Sequence, residues 1–190
     1  MNTYTNNFTG LSTGLNNTVS TVFALDPSNV YIGGSFTDGG DIGTRITRWD
    51  GTKFNRLGSE YLSGGSVLSI YALDPSHVYI GGAFTQYGTD TSMCQIAMWD
   101  GTNITALGSG IPVEIPANSV RAIYALDETH VYIGGQFDHV KIWNGSTINT
   151  LSGTLTLPSV QSLNMFKNDK TTLYIGGGGN GNDGIRNRKI

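Results

Sequence analysis

The chain has 190 residues, room for one substantial core, with 38% hydrophobic residues, 13% charged residues and 27 glycines. A formal net charge of −3, with one basic cluster at the closing "RNRKI", excludes nucleic-acid binding of the kind that tracks phosphates with a basic face. No apolar run approaches about 18 residues, so a helical membrane span is excluded, and a lone cysteine, Cys94, excludes an internal disulfide.

The opening "MNTYTNNFTG" has neither a basic region nor an apolar stretch, so no secretory signal peptide is read there. The sequons at Asn7, Asn16, Asn103 and Asn144 then read as products of an Asn/Thr-rich composition rather than as glycan sites. Residues 4–12 instead resemble a later stretch, "GTNITALGSG": Phe8 aligns with Ile104 and Leu11 with Leu107. This segment is expected to be a strand that completes the last repeat of the chain.

The repeat itself begins with "TVFALDPSNVYIGG" at 21–34. It returns as "SIYALDPSHVYIGG" at 69–82 and "AIYALDETHVYIGG" at 122–135, then shortened as "TTLYIGG" at 171–177. The tyrosines Tyr31, Tyr79, Tyr132 and Tyr174 mark a period of about 40–50 residues, that of a propeller blade or a comparable array.

Each unit reads as four strands. "VLSIYAL" is apolar on both faces, "DPSH" is a type I turn, and "VYIGGAF" is again apolar on both faces. A variable loop leads to "CQIAMW", "DGT" marks a tight hairpin, and "ITAL" keeps only its ends apolar. Burial is thus expected to fall from the first strand, at the axis, to the fourth, at the rim. The diglycines Gly33-Gly34, Gly81-Gly82, Gly134-Gly135 and Gly176-Gly177 end the second strands, where glycine marks a bulge or a close approach of another backbone. No helix and no Lys-Ser/Thr follow them, so a nucleotide-binding loop is not read.

The expected architecture is all-β: a four-bladed β-propeller with four antiparallel strands per blade and its last blade completed by the N-terminal strand. The blades span about 18–58, 66–108, 119–152, and 159–190 plus 4–12. The ring is expected to close within one chain, giving a monomer, with strand exchange into a homo-oligomer as the alternative.

The unit resembles the kelch-type and galactose-oxidase-type propeller repeat. That repeat has a diglycine closing strand two, an aromatic near the end of strand three and another aromatic opening strand four. Here those places hold Gly33-Gly34, Trp49 and Phe54, then Gly81-Gly82, Trp99 and Ile104, then Gly134-Gly135, Trp143 and Ile148. It is more closely similar to the "YIGGSFT…RIARWDG…LGSG" repeats of fungal cortical-marker and bacterial cell-surface propellers. Such a resemblance implies the fold and says little of activity. Cys94 and the three histidines do not match the copper motif of galactose oxidase, which is not carried over.

Candidate residues follow from the loops. Trp49, Trp99 and Trp143 read as packing between blades, and His77 and His130 as turn residues. Asp26, Asp50, Asp74, Asp100, Asp127, Glu128 and Asp169 lie in the two short turns of each unit and have a turn-forming part already. The other acids lie on or beside the variable loops of the opposite face: Asp38, Asp41, Glu60, Asp90, Glu114, Asp138 and Asp183. With Tyr61 and Tyr87 as exposed aromatics, and His139 in the shortest loop beside Asp138, this face is the expected binding surface, because loops on a rigid scaffold carry function. No cofactor is expected. Calcium is the one ion considered, from "NGNDG" at 180–184, which lacks spaced acidic ligands.

The functional expectation is a non-catalytic recognition or structural module of a cell or virion surface, outside the cell, binding a glycan or a protein. The alternatives are an intracellular kelch-like adaptor and a hydrolase or oxidase with an axial site.

Overall fold

The computed structural model describes residues 10–38, 41–111, 118–151, 158–166, 169–178 and 184–190, with the backbone alone for 184–189. All regular structure among them is β. The first unit pairs β1 (Val19–Asp26), β2 (Asn29–Gly34), β3 (Ile46–Trp49) and β4 (Phe54–Asn55) in that order, antiparallel throughout. A short β5 (Leu62–Ser63) precedes the second unit. There β6 (Val67–Asp74), β7 (His77–Gly82), β9 (Ile96–Trp99) and β10 (Ile104–Ala106) repeat the order, while β8 (Gln86–Tyr87) leaves the sheet to pair with β5. The third unit is β11 (Val120–Asp127), β12 (His130–Gly135), β13 (Lys141–Trp143) and β14 (Ile148–Thr150). The fourth has three described strands, β15 (Val160–Asn164), β16 (Thr172–Gly177) and β17 (Gly184–Lys189). The four-strand reading of each unit therefore holds for the first three.

Each first hairpin uses one recipe. In the second unit, Asp74 opposes His77 across a two-residue turn, and the Ser76 amide donates to Asp74 Oδ1 at 2.7 Å. Asp26, Asp127 and Asp169 accept in the same way from Ser28, Thr129 and Thr171, and Asp50 and Asp100 do so in the second type of turn. Asn144 takes that place in the third unit. These bonds favour the charged carboxylate and pull its pKa down at Asp26, Asp50 and Asp100; at Asp74 desolvation pushes upward, but the bonds from His77 and Ser76 prevail and lower it. At Asp127 desolvation pushes upward, but the bonds from His130 and Thr129 prevail and bring it to about 2.

A carboxyl lowered on folding stabilises the fold above its ordinary range, and that stability disappears as pH falls through the lowered value. The thermal midpoint is therefore expected to be flat from about pH 7 to about pH 5, then to fall from about pH 4 to about pH 2. A midpoint unchanged over that last interval would show that the turn caps contribute nothing.

The diglycines do two separate things. A methyl group on the second glycine would run into the carbonyl of the residue before strand one: Thr18 for Gly34, Ser66 for Gly82, Ser119 for Gly135 and Ser159 for Gly177. Each of those carbonyls accepts the amide just past the diglycine, from Ser35, Ala83, Gln136 and Gly178. The ladder shifts register at the same place, between Val67 and Ser69 and at the matching positions of the other units. The first glycine is the seat for a neighbouring sheet. Methyl groups on Gly33, Gly81 and Gly134 would strike Val67, Val120 and Val160 of the next unit.

Most of the core therefore lies between sheets, while Ile32, Phe36 and Phe54 form a buried cluster within the first unit. Tyr31, Ile46 and Leu57 of the first unit pack on Val67, Ile70, Ala72, Ile80 and Phe84 of the second. Tyr79, Ile96 and Leu107 pack on Val120, Ile123, Val131 and Ile133 of the third. Tyr132 and Val140 pack on Val160, Met165, Leu173 and Ile175 of the fourth. Phe23, Tyr71 and Tyr124 hold one repeat position, with ring centroids 5.1 and 5.2 Å apart along the inner strands.

One expectation is corrected, and another falls mostly outside the described residues. The sheets are not arranged as a closed propeller: β1 packs on β6, β6 on β11 and β11 on β15, and no comparable packing returns from β15 to β1. The physical sign is exposure of the inner strand at one end, where Val19 and Val22 face solvent although their repeat partners are buried. The strand expected at 4–12 lies outside the described residues up to residue 9. Residues 10–12 form no strand, and Leu11 is 42% exposed where its aligned partner Leu107 is buried.

Candidate functional site

The loop residues do not gather. Asp38 Oδ2 accepts the Asn16 amide at 3.1 Å and so ties down its own loop. Asp41 is exposed, and its carbonyl accepts the Arg56 amide at 2.6 Å. Asp90 caps its own turn through the Ser92 amide, with its pKa lowered by hydrogen bonds to Ser92. Asp138 and Glu60 are exposed, while Glu114 and Asp183 lie outside the described residues, as does most of the 180–184 stretch. Among the described residues no three His, Cys, Asp or Glu side chains cluster where they could hold a metal ion. No helix among them is long and apolar enough to cross a membrane.

The two loop tyrosines part company. Tyr61 is half-buried, with the Arg56 guanidinium 5.5 Å from its ring centroid and Arg56 Nη1 donating to its hydroxyl at 3.2 Å. Tyr87 is not an exposed aromatic. It is buried in the core between the first two sheets, and its hydroxyl accepts the Glu60 amide at 3.1 Å. The β5–β8 ribbon, which no repeat alignment shows, turns this tyrosine inward.

His139 has a backbone reason to be where it is. Its φ of 65° matches those of Arg45 and Gln95, 66° and 68°, at the same repeat position just before the third strand. The left-handed turn there is a property of the unit, so this position has a backbone part whatever its side chain. Cys94 is half-buried and lies just before β9 rather than on it.

Trp99 and Trp143 pack between units as read. Trp99 approaches Gly58 of the preceding unit and Trp143 approaches Gly108, while Trp49 meets Phe54 edge-on at 5.1 Å.

A concave feature lies on the opposite face, among the short turns, where the second and third units meet. A groove of about 270 Å³ has a floor of Tyr79, Met98, Leu107 and Trp143 and a rim of His77, Glu128 and Thr129. A shallower hollow of about 320 Å³ adjoins it, edged by Asp74, Asp127, Glu128 and Thr129. His77 bridges the junction, with Nδ1 2.8 Å from Asp74 Oδ2 and Nε2 3.5 Å from Glu128 Oε1. Tyr79 is pushed up to about 12, first by burial and then by the carboxylates of Glu128, Asp127 and Asp74. Its hydroxyl therefore stays protonated, as a neutral donor beneath an acidic rim.

Sequence reasoning missed this groove because its walls come from two repeats, about 50 residues apart, that no single unit displays. One signal was available: "DETH" puts Glu128 where "DPSN" and "DPSH" have proline.

No family model matches the chain, and no curated protein does. Among solved structures, the chain is similar to the crystal structure of the computationally designed Ika4 protein, at 17% identity and a TM-score of 0.58, covering 94% of each chain. That likeness speaks to the all-β fold alone.

Proposed function

We propose that the chain is an array of four β-propeller blades acting as a non-catalytic recognition module of a cell or virion surface. Its ligand is a protein segment that places a basic side chain in the groove between the second and third units. The observation that carries this reading is the joining of an apolar floor, Tyr79, Met98 and Trp143, to a carboxylate rim of Glu128, Asp74 and Asp127. A lysine or arginine lays an apolar stem along such a floor and holds its charge at the rim, and a tryptophan face adds cation–π attraction.

A glycan is the second reading, because aromatic floors with polar rims suit sugars as well. Salt separates the two, since screening weakens a charge-led contact. The test is binding to a panel of Lys/Arg-containing peptides beside a neutral glycan array, each across salt. Peptide binding that drops about tenfold with Glu128→Gln, and again with rising salt, supports the reading. Salt-independent glycan binding lost with Trp143→Ala replaces it. No binding to either probe rejects the groove.

A further inference from the structure

The three junctions between sheets are built alike, and each has two sides. One side offers a diglycine, a tyrosine and a next-facing inner strand. The other offers a valine knob and the back of the following inner strand. Val67 sits on Gly33, Val120 on Gly81 and Val160 on Gly134. Tyr31, Tyr79 and Tyr132 are buried in these junctions, and so are Ile70 and Ile123 behind the knobs.

The row leaves one half-junction of each kind unused. At the first unit only the inner strand of the knob side is open, because Ile32, Phe36 and Phe54 farther out on that face are buried within the unit, with Leu15, Ile42 and Trp49 packed on them. Val19 is 43% exposed and Val22 59% exposed, and Ala24 is exposed beside them, at the positions of Val67, Ile70 and Ala72. At the fourth unit the seat side is open. A methyl group on Gly176 would meet only Ser162 of its own sheet, and Tyr174 is half-buried. Ser162 is exposed, and Phe166 is 65% exposed, edge-on to Tyr174 with ring centroids 5.2 Å apart.

We propose that these two inner-strand faces form a further junction between two copies of the chain, repeating the inner part of the internal ones. Val19 of one copy sits on Gly176 of the other, with Val22 and Ala24 against Tyr174 and Phe166. The faces differ, so the contact is head-to-tail, and such contacts either close a ring or run on as a filament. Two copies give eight sheets, the upper end of the typical propeller range, while three would exceed it. The ring is therefore closed by two chains through two identical junctions. The count of two rests on the blade reading above; the pairing rests on the packing alone.

Sedimentation velocity across roughly 1–200 µM tests it, a range reaching well above ordinary weak-dimer constants. The wild-type chain is expected to move from monomer to dimer. Val22→Glu and Phe166→Glu, each spoiling one face, are expected to remain monomeric. Both side chains are exposed, so circular dichroism and thermal midpoint should match a dilute wild-type sample. An equimolar mixture of the two variants retains one intact junction and should form a dimer again at high concentration. A wild-type chain that stays monomeric overturns the pairing, as do variants that self-associate like the wild type or a mixture that does not pair. Growth beyond the dimer overturns the two-chain ring. Peptide binding by the Val22→Glu monomer keeps this outcome apart from that of the groove, which lies between the second and third sheets.

Discussion

A Gly82→Ala chain is expected to lose a large share of its stability, although the change adds one methyl group. That methyl would fall on the carbonyl oxygen of Ser66, a backbone atom closer than 3.0 Å, which real Cβ atoms do not approach. The carbonyl cannot retreat freely, because it accepts the Ala83 amide at 2.9 Å and so holds the start of β6 against the end of β7. Relief requires opening the strand pair. We expect a cost of about 3 kcal/mol or more, at the top of the usual overpacking range, against a total of roughly 5–15 kcal/mol for a domain. Urea unfolding measures it. Gly10→Ala is the control, because the same methyl there meets nothing within 4 Å and should leave the midpoint unchanged. Equal midpoints for the two variants would show that the diglycine is not a steric requirement.

Phe84→Ala is the second large effect. Phe84 is wholly buried between the first and second sheets, beside Val67, Ile80 and Tyr87. Removing its ring leaves a cavity that flanking strands cannot collapse into, and the expected loss is about 3–5 kcal/mol. The repeat supplies an internal comparison at a second position. Val120→Ala should cost about 2 kcal/mol, because Val120 is fully buried against Gly81. Val19→Ala, the same residue type at the same repeat position, should cost close to nothing in dilute solution, because Val19 faces solvent. A similar loss at both sites would mean that the first sheet has a neighbour there.

Much of this fold was legible because the repeat prints each element several times over. The Asp-first turns kept one structural meaning in each unit, as the hairpin bonds at Asp26, Asp74, Asp127 and Asp169 show, whereas the tryptophans and first glycines kept theirs only where a neighbouring sheet is present. The diglycine was read as a close approach, and it is one, twice over. Legibility stopped where a property belongs to two units or to none. Ring closure depends on the angle between neighbouring sheets, which no motif encodes, so the expected single-chain ring was not found. Tyr87 was misread because its β5–β8 ribbon lies outside the repeat. The backbone part of His139 was not legible, because a side chain is visible in a sequence and a φ is not. The groove at Glu128 was overlooked because a turn acid already had an explanation as a turn former.

The account turns on the sheets being stacked by a valine seated on a glycine of the sheet before it. Gly134 and Val160 give the cleanest test, because the atoms nearest a methyl on Gly134 all belong to the fourth sheet: Val160 and Leu163. A double-mutant cycle by urea unfolding with Gly134→Ala, Val160→Ala and both together reads that seat directly. The double variant is expected to be more stable than the two separate losses predict, by about 1 kcal/mol, because Val160→Ala removes the Cγ1 atom nearest the added methyl and so relieves part of the clash, the rest remaining with Cβ at 2.8 Å. Losses that simply add would contradict a direct contact and, with it, the stacking on which the open ends and their pairing depend.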